Sequence, residues 1–226
     1  MDADVKAGSR AVRSAPQART RRTRAAVVEA ARRLFLERGY VATTMEAISE
    51  LADTPQPTVY RLFSSKLGIL KALLDVSIAG DDKAIAMADR PQVRSLVANP
   101  DPRDTLTGFA ALVGGLMVRT GPVHAVLEEA ARSDRGAAAL LAEIARQRHD
   151  GQRRVTRSLA RAGALRAGLK ERDAADIVHT LASPEVYRLL VTGRGWSGKR
   201  YQQWLASILT DQLLPATTKG DRHETP

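Results

Sequence analysis

Apolar residues recur at helical spacing through most of the chain, and no strand-like run is apparent anywhere. Val27, Ala31, Leu34 and Phe35 predict a helix from Thr20 to Arg38, with Gly39 as its stop. Thr43 followed by Glu46 makes a capping box, so a short helix is expected from Thr44 to about Ala52 with Ala47, Ile48 and Leu51 facing inward. Ser49 is small where a second helix has to cross. Asp53 then stands where the chain turns, a place for a residue that tolerates a left-handed backbone. With Thr54 as cap, Pro55 and Pro57 fall in a first turn that has no intrahelical donor to lose. The helix they open places Val59, Leu62 and Phe63 on one face and leaves Gln56, Thr58, Tyr60 and Arg61 pointing elsewhere. Ser64 or Ser65 caps the next helix, and Lys66 stands in its first turn.

The remainder continues in helices. Leu67, Leu70, Leu73, Leu74 and Ile78 predict one running towards Ala88, broken or kinked at Gly80, and Val93, Leu96 and Val97 a brief one between prolines. Asp104 to Arg119 is apolar around much of its circumference, with Gly114 and Gly115 marking a kink or a close approach. Gly121 and Pro122 are expected to start a separate helix to about Arg132, followed by a long one from about Asp134 to Ala162. On the latter, Arg146, Arg153, Arg157 and Arg161 form a stripe, read as a solvated face or a second nucleic-acid surface. Ser183 restarts or kinks the next helix, and Ser197 caps the last, where Tyr201, Trp204, Leu205 and Ile208 repeat at helical spacing. The fold class expected is all-α.

Composition sharpens this. The 226 residues suffice for one large or two small domains, and an Ala-rich, aromatic-poor chain suits helices. The net charge of +10 suggests a polyanionic partner. From Met1 to Arg38 there are ten Lys or Arg against four Asp or Glu, a surplus of six. That stretch reads as a disordered basic arm over residues 1–19, either lying along DNA or simply solvated. The absence of cysteine excludes disulfides and thiolate-held metals. No apolar run approaches the length of a membrane span, and no secretory leader is visible, so a cytoplasmic location is expected.

The run from Arg24 to Leu74, containing LFLERGY, TTMEAIS and PTVYRLFSSK, resembles the DNA-binding domain of TetR-type (tetracycline repressor-like) transcriptional regulators. It departs from that family's usual pattern at Asp53, where Gly is common, and at Pro55 and Pro57. The resemblance implies phosphate contacts from Thr44, Tyr60 and Lys66, with Arg21 and Arg22 beside them on the preceding helix. It implies base contacts from Gln56, Thr58 and Arg61, whose chemistry suits adenine, a thymine methyl and guanine respectively. It further implies a C-terminal domain with a ligand cavity, for which Phe109, Met117 and His124 are candidate lining. The last two helices would pair with those of a second subunit, through Ile177, Leu181, Tyr201, Trp204, Leu205 and Ile208.

The expected organisation is therefore an arm over residues 1–19, a helix-turn-helix domain over 20–66, a helical regulatory and dimerisation domain over 67–214, and a polar disordered tail from 215. GRGWSG between Gly193 and Gly198 matches a dinucleotide-binding pattern but follows a helix where that site needs a strand. The four histidines have no metal-ligand spacing and no nucleophile motif stands out, so no cofactor, no metal and no enzymatic activity are expected. The leading reading is a homodimeric repressor released from a palindromic double-stranded DNA operator by a small-molecule effector. The alternatives are a DNA binder whose C-terminal domain only dimerises or meets a protein partner, and a non-specific basic binder.

Overall fold

The computed structural model describes residues 4–80 and 89–216, with side chains from residue 17 onward. Every regular element among the described residues is helical: α1 Asp4–Ala42, α2 Met45–Leu51, α3 Gln56–Phe63, α4 Lys66–Ala79, α5 Pro91–Val97, α6 Pro102–Ala131, α7 Arg135–Arg161, α8 Glu171–Leu181, α9 Pro184–Tyr187 and α10 Gly198–Leu213. A π-helical turn, Arg188–Thr192, continues α9.

The chain divides into two compact units, residues 1–82 with 122–142, and residues 83–121 with 143–226. The first thus takes in α4 and the segment 122–142, which periodicity assigns to the regulatory part. In it α1 packs on α2 and α4, and α3 on α2 and α4. Val27, Ala31, Leu34, Phe35, Ile48, Val59, Ile69 and Leu70 are buried there. In the second unit a continuous core joins Leu106, Phe109 and Met117 of α6, Val155 and Leu159 of α7, Val178 of α8 and Leu205 and Leu209 of α10. Burying one such side chain completely contributes about 1.5–3 kcal/mol.

Several boundaries differ from expectation, each for a local reason. The α1 helix starts at Asp4, where a disordered arm is expected. Ala7, Ala11, Ala15 and Ala18 favour helix, and a stretch that adjoins an existing helix needs no nucleus of its own. Its end is as expected: Gly39 leaves the helical region at φ 76°. The cap of α2 is Thr44, whose Oγ1 accepts from Ala47 N at 3.0 Å, while the buried Thr43 donates to Gly39 O at 2.8 Å. The cap is therefore displaced by one residue, and with Ala47 at the third helical position there is no capping box. Leu51, expected inside, is 43% exposed. Pro55, not Thr54, caps α3, so both prolines precede the first amide that needs a partner.

Helix α4 stops at a left-handed Gly80, and residues 81–88, where its continuation is expected, lie outside the described residues, as does the tail from 217. The break expected at Gly121–Pro122 is absent, and α6 runs through it for 30 residues. Proline there removes one hydrogen bond, to the carbonyl of Val118; Val118 is 60% exposed, so water can serve that carbonyl. By length and composition α6 could cross a membrane, but Leu106, Phe109, Ala110, Val113 and Met117 are buried in the second unit's core. A Cβ on Gly114 would collide with Gln202, so the glycine marks a close approach by α10. Ser183 and Ser197 cap α9 and α10 as expected, accepting from Val186 N and Arg200 N at 3.2 Å each.

Two glycines set up opposite expectations. A Cβ on Gly68 would overlap the carbonyl oxygen of Phe63, a backbone atom that cannot move aside, whereas nothing lies within 4 Å of a Cβ on Gly151, inside α7. Urea denaturation should show Gly68→Ala destabilised by about 1–3 kcal/mol and Gly151→Ala stabilised by about 0.4–1 kcal/mol.

Candidate nucleic-acid interface

Helix α3 is anchored by one side and open on the other. Val59 is fully buried and Phe63 nearly so, while Gln56, Tyr60 and Arg61 are exposed and Thr58 is partly so. The four predicted readers therefore share the outward arc of one helix. Arg21 and Arg22 are exposed on α1, and Thr44 is exposed at the start of α2. Because Thr44 uses an oxygen lone pair to cap α2, its hydroxyl hydrogen is left for an outside acceptor.

Both ends of α3 pass through left-handed residues other than glycine, Asp53 at φ 45° and Ser64 at φ 64°. Each costs roughly 1 kcal/mol or more and persists only where its surroundings determine it. At the first, Ser49 Oγ donates to Thr54 O at 2.5 Å, Thr54 N donates back to Ser49 O at 3.0 Å, and Thr54 Oγ1 donates to Ala52 O at 3.0 Å. At the second, the Arg24 guanidinium donates to Leu62 O at 2.9 Å and lies 4.4 Å from the centre of the Phe63 ring. Arg24 thus ties α1 to the last turn of α3. Nothing in the local sequence marks this role, because its partner is a backbone carbonyl 38 residues on.

Lys66 does something other than what the resemblance implies. Its ammonium donates to Tyr40 O at 2.6 Å and Thr43 O at 2.7 Å, approaches Val41 O at 3.4 Å, and sits 4.3 Å over the Tyr40 ring. Its donors are spent on the turn between α1 and α2, so it is a positioning residue and not a free charge for phosphate. Burial pulls its pKa below the ordinary lysine value, with Asp134 opposing. Tyr40, stacked on Phe35 at 5.7 Å, donates its hydroxyl to Asp134 Oδ2 at 3.5 Å. Burial first, then the charge of Asp134, pushes its phenol up to about 12. The other oxygen of Asp134 accepts from Gly136 N and Ala137 N, at 2.7 and 3.1 Å, in the first turn of α7.

The remaining expected sites come together only in part. Phe109 and Met117 are plain core, 4% and 3% exposed, and His124 lies in the other unit, paired with Glu128 at 3.4 Å. None of the three lines either of the two grooves described below. Of the residues expected between subunits, Tyr201 and Leu205 are wholly buried in their own unit, since the stripe on α10 is two stripes: Tyr201, Leu205 and Leu209 turn inward. Ile177, Leu181 and Ile208 instead line an open groove of about 430 Å³ with Thr180 and Gln212, and Trp204 is half-buried on α10. His149 and His179 meet edge to face at 5.0 Å, but among the described residues no three His, Asp or Glu side chains are placed to hold a metal.

Residues 27–73, the buried stretch of α1 through most of α4, match the family model of bacterial regulatory proteins of the tetR family. Over those residues the chain resembles TetR-family DNA-binding domains. Two curated relatives agree. The "HTH-type transcriptional regulator TtgR" of Pseudomonas putida is 43% identical over 53 residues, 24% of this chain and 25% of that protein. The "HTH-type transcriptional regulator TcmR" of Streptomyces glaucescens is 33% identical over 111 residues, 49% of this chain and 45% of that protein. The chain spans about a quarter of the one and less than half of the other. Among solved structures, the fold is similar to that of a SmeT–triclosan complex (TM-score 0.67, 18% identity, covering 86% of this chain and 93% of that one). It is also similar to NalD, secondary repressor of a Pseudomonas aeruginosa multidrug efflux pump (TM-score 0.63, 20% identity, covering 85% and 96%). The TetR-family match ends at Leu73, so it covers the helix-turn-helix and Lys66 but not Asp134.

Two outcomes follow for this TetR-family domain. Lys66→Met keeps the aliphatic stem but leaves buried carbonyls without a donor; it should cost about 1–3 kcal/mol in denaturation. Below pH 10 the Tyr40 hydroxyl is protonated in the folded and unfolded chain alike. Above it the unfolded chain ionises first, so stability falls as pH climbs towards about 12. Tyr40→Phe should flatten part of that alkaline decline in melting temperature, and an unchanged slope would exclude the hydroxyl.

Proposed function

We propose that this chain is a homodimeric, effector-responsive repressor of transcription, acting in the cytoplasm and without enzymatic activity. The observation that carries the reading is the outward arc of α3, where Gln56, Thr58, Tyr60 and Arg61 stand exposed on a helix whose ends and inner face are fixed. Gln56 can pair with adenine and Arg61 with guanine or phosphate, and the Thr58 methyl can meet thymine. Tyr60 and Thr44, with Arg21 and Arg22, hold phosphates, which set position and not sequence.

Two such helices, one per subunit, read successive major grooves of a palindromic operator about 34–36 Å apart or slightly more. The groove lined by Ile177, Leu181 and Ile208 supports pairing through α8 and α10. A small molecule bound in the second unit favours a state with a different reader spacing. To empty an operator that is nearly full, it must bind the released state about 10⁴-fold better. A solved neighbour named as a triclosan complex supports the effector part of the reading.

Selection from a random duplex pool at near-physiological salt should enrich an inverted repeat. Gln56→Ala should weaken binding to the enriched sequence by about 1–3 kcal/mol and leave affinity for random duplex unchanged. Salt-sensitive binding with no enriched sequence, or equal losses on both duplexes, would overturn the specific-repressor reading in favour of a non-specific binder.

A further inference from the structure

The arginines of α7 have a counterpart on another helix. Arg153, Arg154, Arg157 and Arg161 line one open groove of about 990 Å³ in the second unit, and Arg94 of α5 lines it from the opposite side. Its apolar lining is supplied by Val93 and Leu159, both buried, with Val97, Pro100 and Pro102. Arg146, the first residue of the sequence stripe, is not among the lining and pairs with Glu143.

Charge in this groove is unbalanced. Arg153 and Arg157 share one carboxylate oxygen, Oε1 of Glu171, at 3.5 Å each. Among the described residues, Asp89 and Asp150 are the acidic members of the lining. Arg94, Arg154 and Arg161 have no ion-pair partner among the described residues. Several exposed guanidinium groups around one concavity make it positive, which draws an anion to it. The neighbouring start of α6 is no rival for that anion, because Asp101 Oδ1 already accepts from Arg103 N at 2.7 Å and Asp104 N at 3.0 Å. The volume lies within the 300–1,000 Å³ typical of small-molecule sites. A concave site rimmed by Asp89 and Asp150 does not suit a continuous phosphate backbone.

We infer that this groove binds a small anionic amphiphile, its carboxylate or phosphate head held by Arg94, Arg154 and Arg161 and its apolar body laid on Val97, Pro100 and Pro102. Resting on the effector-responsive reading above, this is also the chemical class of the effector. The guanidinium fork suits either head group, being matched to planar carboxylate and to phosphate oxygens alike.

The test is calorimetric titration of the full chain, without DNA, by submicellar decanoate, decyl phosphate and decanol. One anionic molecule per chain should bind saturably, with decanol weaker by about tenfold or more. The more tightly bound anion identifies the head group. Arg94→Ala/Arg154→Ala/Arg161→Ala should lose about tenfold or more in affinity for the anions, and the corresponding triple Lys variant should recover most of it. Circular dichroism and melting confirm that each variant is folded. Equal binding of decanol, undiminished binding by the folded Ala variant, or no saturable binding of either anion would overturn the site. So would loss of random-duplex affinity in the Ala variant together with displacement of duplex by decanoate, which would make the groove a nucleic-acid surface. Anion binding that leaves operator occupancy unchanged upholds the site and removes its effector role. Operator release by another compound, with neither anion bound, upholds the repressor reading and overturns the groove.

Discussion

A lysine ammonium without free donors holds the helix-turn-helix together. Lys66 opens α4, and its hydrogen bonds to the carbonyls of Tyr40 and Thr43 clamp the turn between α1 and α2 against the helix that follows α3. Taking an ammonium out of water is costly unless its hydrogens are accepted elsewhere, and here two carbonyls and an aromatic face replace the solvent. Since α3 lies between α2 and α4, fixing the start of α4 to the end of α1 limits where α3 can point. Arg24 does the same from the other end, reaching from α1 to Leu62 O. The exposed residues of α3 are thus aimed by two cations that take no part in the exposed arc.

Much of this architecture was legible beforehand, and the failures share a cause. The helix from Thr20 to Arg38, its stop at Gly39, the left-handed Asp53 and the caps at Ser183 and Ser197 all depend on neighbours within a few residues, which is the range over which spacing and propensity operate. Lys66 and Arg24 were not, because their partners are backbone carbonyls 23 to 38 residues distant, and a carbonyl leaves no mark in a sequence. Pro122 misled for the complementary reason: proline reads as a boundary, yet an exposed turn can lose one hydrogen bond to water and continue.

The second unit shows the same limit on a larger scale. Tyr201 and Trp204 are three residues apart and read as one stripe, but the first is fully buried and the second only half, so neighbouring positions on α10 serve different surfaces. Likewise Phe109 and Met117, apolar at helical spacing, are members of the buried core. The arginine stripe of α7 acquires meaning only when Arg94, from an element about 60 residues earlier in the chain, is seen across the same groove.

The first unit is not continuous in the chain. Its helix-turn-helix lies before residue 82, but the carboxylate that receives the Tyr40 hydroxyl, Asp134, belongs to the returning segment 122–142. On the ribosome, at about 5–20 residues per second, a nascent chain therefore carries α2 and α3 for several seconds before the residues that complete their support emerge. Final consolidation of the helix-turn-helix is then a late event in synthesis, and the nascent N-terminal segment spends that interval as an incompletely supported intermediate.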